Sequence, residues 1–310
     1  SYSSRCRVER VPYAVFQSTP GRPFKAWLEL ARWLEKEEPD AIICHSINSI
    51  LACRWYAWKH RIPLLAVEHT SNQVKTRTEW LASRTCMLVA DRVVLLTNKY
   101  QEELKVAHGW LFRPSKVAVI PNGIDTDEFF PMAHRDTTHP QPIRLGMAAR
   151  FSFSKRQDLL VQTVALLVEL RPDMNFELVL AGDGSELARV KQLAAASPVS
   201  QCIHFSGLLG EDAMADWLRT LDVYVHATEG ETLSTSILQA MATGLPIVAS
   251  DAPGVGNLLT EPSEYGRCAA NEAQGFATSI LELLDSPVLS QTIANAARRR
   301  VESEYSCQTM

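Results

Sequence analysis

Apolar residues fall in two kinds of run along the chain. Short blocks such as AIIC and LLAV lack polar alternation, which predicts strands buried on both faces of a parallel sheet. Such blocks occupy residues 11–16, 41–44, 64–67, 93–96 and 117–120. Between them, stretches with apolar positions at helical spacing predict amphipathic helices near 24–36, 50–59, 78–90 and 99–108. The alternation then restarts, with strands at 143–148, 176–181, 202–205, 223–226 and 247–250 and helices near 156–169, 185–196, 212–218, 236–241, 274–284 and 289–304. Strand and helix in turn predict an α/β chain, its helices covering mostly parallel sheets.

Between the two series lies PNGIDTDEFFPMAHRDTTHPQP, residues 121–142, with four prolines and no helical periodicity. It predicts the connection between two domains, the number that 310 residues favours. The expected division is an N-terminal domain over 1–130, a hinge over 131–142 and a C-terminal domain over 143–310.

Charge and composition narrow the function. A 46% hydrophobic fraction excludes an extended disordered chain, and 31 Lys plus Arg against 35 Asp plus Glu, net −4, gives no basic track for nucleic acid. No apolar run approaches the ~20 residues that cross a bilayer. Seven dispersed cysteines suit thiols in a reducing compartment, so a cytoplasmic protein is expected. Six of the seven tryptophans precede the hinge. Trp55 and Trp58, beside Arg54, Lys59, His60 and Arg61, allow two readings: helix packing, or a peripheral contact with the inner face of a membrane.

Open parallel sheets bind ligands beyond the carboxyl ends of their strands. Three loops stand there. In AARFSFSK, Arg150 and Lys155 can converge on a diphosphate, although surface salt bridging explains them too. In AGDGSE, Gly182 and Gly184 permit a tight turn whose amides can face an anion or a base; a plain strand-to-helix turn capped by Asp183 or Ser185 is the alternative. The third, HATEGETLSTSILQAMATGLPIVASDAPG, carries more. Ser234 or Thr235 begins a helix whose first amides suit a phosphate, Glu231 can bind sugar hydroxyls, and Gln239 lies about two turns further on, within reach of a ribose. Glu231 as a helix cap and Gln239 on a polar helix face remain open at this point.

In order, VIPNGIDTDEFFP, AARFSFSK, LVLAGDGSE, IHFSGLL and the long block from His226 to Gly254 resemble the retaining, nucleotide-sugar-dependent glycosyltransferases of the bacterial group 1 type. That resemblance implies a GT-B fold: two facing Rossmann-like domains, the first on the acceptor side and apparently incomplete here, the second holding the nucleotide sugar. The family's first strand and its glycine-rich acceptor loop are expected before Ser1. By the resemblance, Arg150 and Lys155 match the basic pair on the donor diphosphate. Glu231 matches the first member of a glutamate pair, and Gln239 stands at the second. An amide keeps hydrogen bonds to a ribose but cannot supply negative charge. Gly254 falls at a family glycine pair near the donor phosphate or sugar. His69, and after it His45, are the acceptor-side candidates; histidines bonded to loop carbonyls are the alternative.

The implied activity is transfer of a sugar from a nucleotide-diphosphate sugar to a glycan or lipid-linked acceptor, with Glu231, Arg150, Lys155 and His69 as the catalytic set and no further cofactor. A noncatalytic nucleotide-sugar-binding assembly subunit is the alternative, and an epimerase or hydrolase a more remote one. Asp125 and Asp127, and His134 and His139, lack the compact ligand set of a metal site, so no metal is expected.

Overall fold

The computed structural model describes residues 12–16, 24–45, 49–69, 72, 75–132, 142–260 and 264–310. Contacts divide the chain into two compact units, Ser1–Ile120 and Pro121–Met310.

The first unit alternates helix α1 (Phe24–Glu37), β1 (Ile42–Cys44), α2 (Ile50–His60), β2 (Leu64–Val67), α3 (Arg77–Val89), β3 (Arg92–Leu95), α4 (Asn98–His108) and β4 (Val117–Val119). Its four strands pair in parallel in the order β1-β2-β3-β4. Two of these helices open on capping side chains. Thr76 and Glu79 form a reciprocal capping box that opens α3, and the Thr97 hydroxyl accepts from the Tyr100 amide at the head of α4. Leu64, Ala66, Val93 and Leu95 lie in the core, where each large aliphatic side chain contributes about 1.5–3 kcal/mol. The block at 41–44 is not buried on both faces, for Ile43 is 60% exposed. The expected strand at 11–16 is not formed either: residues 12–16 pair with no strand and Val15 is largely exposed. A strand needs a partner ladder, and Pro12 brings no amide to one. Val11 lies outside the described residues.

A buried polar cluster straps the loop that follows β2. The Lys75 ammonium donates to Glu68 Oε2 (2.7 Å), Ser83 Oγ donates to Glu68 Oε1 (2.7 Å) and Tyr100 OH donates to Glu68 Oε2 (3.0 Å). Ser83 Oγ also lies 3.0 Å from His108 Nε2. Lys75 sits over the rings of Trp80 and Tyr100, so its charge is met by a carboxylate and two aromatic faces.

The second unit holds β5 (Ile143–Ala148), α5 (Gln157–Leu170), β6 (Phe176–Ala181), α6 (Leu187–Ala196), β7 (Ile203–Gly207), α7 (Glu211–Arg219), β8 (Val223–His226), α8 (Thr235–Ala242), β9 (Ile247–Ser250), α9 (Gly256–Leu259), β10 (Arg267–Ala269), α10 (Ala273–Asp285) and α11 (Pro287–Glu304). The six parallel strands run in the order β10-β9-β8-β5-β6-β7. Successive strands therefore leave β5 on one side through β6 and β7 and return on the other through β8, which makes the β5/β8 junction the point where the winding reverses. Two elements were not foreseen. The short α9 follows the Ala252 turn, and β10 adds RCA to the edge beside β9.

The compact units divide at residue 120, upstream of the expected hinge at 131–142, of which 133–141 lie outside the described residues. Residues after Ile120 belong to the second unit because they are bonded to its far end. The Ile124 amide donates to Tyr305 O (2.7 Å) and the Cys307 amide to Ile124 O (3.0 Å), while Arg298 on α11 donates to the carbonyls of Thr126 and Phe129. Both sheets are parallel and helix-covered, as a chain of paired Rossmann-like lobes requires.

Candidate functional site

The carboxyl end of the second sheet gathers most of the candidate residues. The loop after β5 and the loop after β8 start from adjacent strands and are stitched by two backbone bonds, the Arg156 amide to Ala227 O (3.0 Å) and the Glu229 amide to Ser154 O (2.9 Å), and by the Thr228 hydroxyl donating to Ser154 O (3.2 Å). Arg156 then reaches Glu229 (2.7 Å) across the same seam. This stitching delivers Lys155 to Glu231.

The Lys155 ammonium bonds Glu231 Oε1, with both side chains largely covered. Burial pushes the Lys155 ammonium down to about 8. At neutral pH it is still charged, and it is close to releasing its proton. A second donor meets the same oxygen: His226 Nε2 lies 2.7 Å from Glu231 Oε1. His226 has no exposed surface, and its burial, reinforced by the Lys155 charge, holds its pKa well below the ordinary imidazole range. The ring is therefore neutral. Behind it, Tyr224 OH lies 3.3 Å from Nδ1, and burial pushes that phenol up to about 12.

Arg150 is exposed at the mouth of the first loop, and its carbonyl accepts from Gln157 Nε2 (3.2 Å). Beside it opens a cavity of about 230 Å3 bounded by Ala149, Arg150, Gly182, Leu208 and Met214 at the ends of β5, β6 and β7.

The glycine turn differs from what its composition suggests. Gly182 has φ +132°, and a Cβ there would strike the Ala149 carbonyl. Its amide is not aimed at a ligand, since it donates to Gly207 O (2.7 Å), and the Gly184 amide donates to Asp183 Oδ1 (2.7 Å). These glycines let the β6 turn approach the β5 loop. Gly254, at φ +80°, does the same for the loop after β9: a Cβ would strike the Glu231 carbonyl, and the Glu231 amide donates to Pro253 O (2.9 Å). Glu231 is thus pinned from both sides by its backbone.

Ser234 precedes α8, and Thr235 is its first residue. The Thr235 hydroxyl takes a bond from Asn122 Nδ2 (3.2 Å) and Ser234 Oγ lies 3.3 Å from Ser236 Oγ, so neither side chain caps the helix. Gln239 is half-buried on the same helix, its carbonyl accepting from Thr243. Asp125 accepts from the amides of Asp127 and Glu128, closing a turn. Among the described residues, no three His, Cys, Asp or Glu side chains come together to hold a metal ion. His134 and His139 lie outside the described residues.

In the first unit, β1 and β2 are neighbours, which brings His45 and His69 together at their carboxyl ends. His45 Nδ1 lies 2.8 Å from His69 Nε2, the rings stack at 5.1 Å, and burial with the His45 charge lowers the pKa of His69. One ring must be the donor, so the pair does not carry two charges.

Motif reading missed His226, Tyr224 and the Arg156–Glu229 seam. The signal for the first two was present: in VYVH, two polar-tipped rings two residues apart share one face of a fully buried strand.

The family described as Glycosyl transferases group 1 matches residues 142–286, and that described as Glycosyltransferase Family 4 matches residues 2–128. A D-inositol 3-phosphate glycosyltransferase of Streptomyces avermitilis is 27% identical over 264 residues, covering 77% of this chain and 56% of the relative. A glycogen synthase of Mycobacterium tuberculosis is 26% identical over 242 residues, covering 77% of this chain and 55% of the relative. The chain thus spans about half the length of these curated relatives. Among solved structures, Anabaena Alr3699/HepE in complex with UDP and glucose superposes with a TM-score of 0.82 at 19% identity, over 100% of this chain and 86% of that one. A glycosyltransferase from Rickettsia africae gives 0.77 at 17% identity, over 99% and 84%. One family match on each lobe, together with two parallel Rossmann-like sheets, makes this a GT-B-fold chain related to the group 1 glycosyltransferases.

Proposed function

We propose that the protein is a retaining transferase that moves a sugar from a nucleoside-diphosphate sugar to a glycan or lipid-linked acceptor. The observation that carries this reading is the meeting of Lys155 and Glu231 at the β5/β8 junction, with Arg150 on the Lys155 loop. Arg150 and Lys155 meet the diphosphate, and Glu231 meets the sugar. As the bond from sugar C1 to the phosphate oxygen breaks, negative charge grows on the leaving diphosphate and the two cations stabilise it. The acceptor oxygen bonds C1 on the same face, and its proton passes to the departing phosphate oxygen, so configuration is retained. Glu231 orients the sugar as positive character develops at C1. Gln239 contacts the ribose by hydrogen bonds, and the amides at Ser234 and Thr235 lie on the phosphate side.

His69, with His45, serves the acceptor side. On α2, Leu51, Trp55 and Trp58 follow helical spacing and are 49%, 54% and 69% exposed, which supports a peripheral contact with the inner face of a membrane rather than core packing. Among the described residues, no helix is long and apolar enough to cross one.

Gln239 at a glutamate position favours one second reading, a subunit that binds nucleotide sugar without turning it over. The decisive experiment incubates the protein with nucleotide sugars, beginning with UDP-glucose because the Anabaena protein has been solved with that compound. Soluble and lipid-linked acceptors are both supplied, and the mass and anomeric configuration of the product are determined. An acceptor-dependent product with retained configuration supports the transferase. Donor conversion without acceptor means an epimerase or hydrolase, and binding without turnover means the noncatalytic subunit. Failure to sediment with anionic liposomes at low and high salt would remove the membrane contact alone.

A further inference from the structure

His226 opens the block from His226 to Gly254, yet neither the loop motif nor the family resemblance gives it a role. Its ring ends β8, wholly buried and on the same face as Tyr224. Nε2 lies 2.7 Å from Glu231 Oε1, and Nδ1 lies 3.3 Å from Tyr224 OH, itself 3.3 Å from the Ala148 carbonyl at the end of β5. A carboxylate only accepts, so Nε2 carries the proton, and Nδ1 is the bare nitrogen beside a phenol whose single proton it shares with the Ala148 carbonyl.

Glu231 Oε1 therefore has two donors of different kinds. Lys155 stands on a loop at the end of a flexible four-carbon stem and can turn to a phosphate. His226 is planted in the sheet and cannot follow. Once a diphosphate claims the lysine, the imidazole is the hydrogen-bond donor that still fixes the carboxylate.

We propose that His226 is a positioning residue for the transferred sugar: it holds Glu231 in place when Lys155 leaves Oε1 for the donor diphosphate, so that Oε2 keeps its aim at a sugar hydroxyl. This assignment rests on the transferase reading above. It couples the two halves of the donor through one oxygen atom, because arrival of the diphosphate removes one of the two bonds on Oε1 and the other must then suffice.

The test compares the wild type with His226→Leu and His226→Gln. Leucine removes the donor, whereas the glutamine amide returns an N–H toward Oε1. For His226→Leu, kcat should fall ~10- to 100-fold, the worth of one hydrogen bond to a charged group. Its Kd for UDP should stay within about two-fold, since UDP carries no sugar. His226→Gln should recover most of the loss. Wild-type kcat in the leucine variant, equal impairment of both variants, or loss of UDP affinity in step with kcat would each overturn the assignment.

A second measurement needs neither turnover nor a folded leucine variant: imidazole nitrogen-15 spectra of the wild type, with the His226 signals identified by their loss in His226→Gln. Nε2 should be protonated both without and with saturating UDP. An unprotonated Nε2 in either state overturns the assignment. If the wild type transfers sugar from no donor, the transferase reading fails by itself, and the spectra still decide whether His226 holds Glu231.

Discussion

Each unit of the chain contains a lysine, a glutamate and a histidine in one hydrogen-bonded cluster, and the two clusters are built to opposite ends. In the first unit, Lys75 and Glu68 have side chains 0% and 1% exposed, and the carboxylate accepts from Lys75, Ser83 and Tyr100. In the second, Lys155 and Glu231 are 16% and 14% exposed, and both bonds to the carboxylate fall on Oε1. The first ion pair is enclosed by aromatic rings and both its oxygens are used, so nothing can exchange with it. The second has a solvent-facing side and an oxygen to spare. Residue types alone do not separate a strut from a site; the number of committed lone pairs and the access of a competing anion do.

The sharpest way to break this contrast is to remove one partner of the enclosed pair. Lys75→Met leaves Glu68 charged and buried with neutral donors, and should cost about 3–5 kcal/mol of stability. Tryptophan fluorescence in a denaturant titration reads it in the right unit, because six of the seven tryptophans lie before residue 121. A loss under about 1 kcal/mol, that of an exposed pair, would erase the distinction.

On the open side, Glu231→Gln should reduce turnover by roughly 100- to 1,000-fold, with affinity for UDP retained. Steady-state kinetics with calorimetry on the same preparation checks both halves, and an undiminished rate would strip Glu231 of its role. Smaller in effect, Arg150→Ala and Lys155→Ala should each weaken UDP binding by about 1.5–3 kcal/mol. Unchanged Kd in calorimetry would mean that the loop cations serve only the surface.

The mildest test is pH. Lys155 is protonated below about 8 and loses its charge above it. Since the diphosphate prefers the ammonium, UDP affinity should be full on the acid side and decline as pH rises through about 8. Lys155→Arg, which keeps its charge, should flatten that decline. A profile that is the same in both proteins would assign the titration elsewhere.

Much of the scaffold was legible because its signal is local. Strands β5 and β6 are mostly buried apolar runs, and the Ser234 helix start is a pattern of a few residues. What escaped depends on partners distant in sequence. Residues 12–16 have apolar character but no ladder, and RCA forms β10 only because β9 offers an edge. The placement of Lys155 against Glu231 follows from the 154–156 and 227–229 seam, which no single loop encodes. The same limit explains the glycines. The spacing of Gly182 and Gly184 suggested amides facing a ligand, whereas both lie against carbonyls of the β5 loop.

The bond pair between Ile124 and residues 305–307 bears on the order in which the protein is made. The four described strands of the first unit have all been translated by residue 120. The segment just behind it must wait until some 180 more residues have been translated before Ile124 meets its partners, so this closure comes late in synthesis. During that interval the second unit is unfinished, and its apolar strands are accessible to chaperones. Cysteine pairs placed at 124 and 306 and trapped by oxidation on stalled nascent chains would time the closure directly.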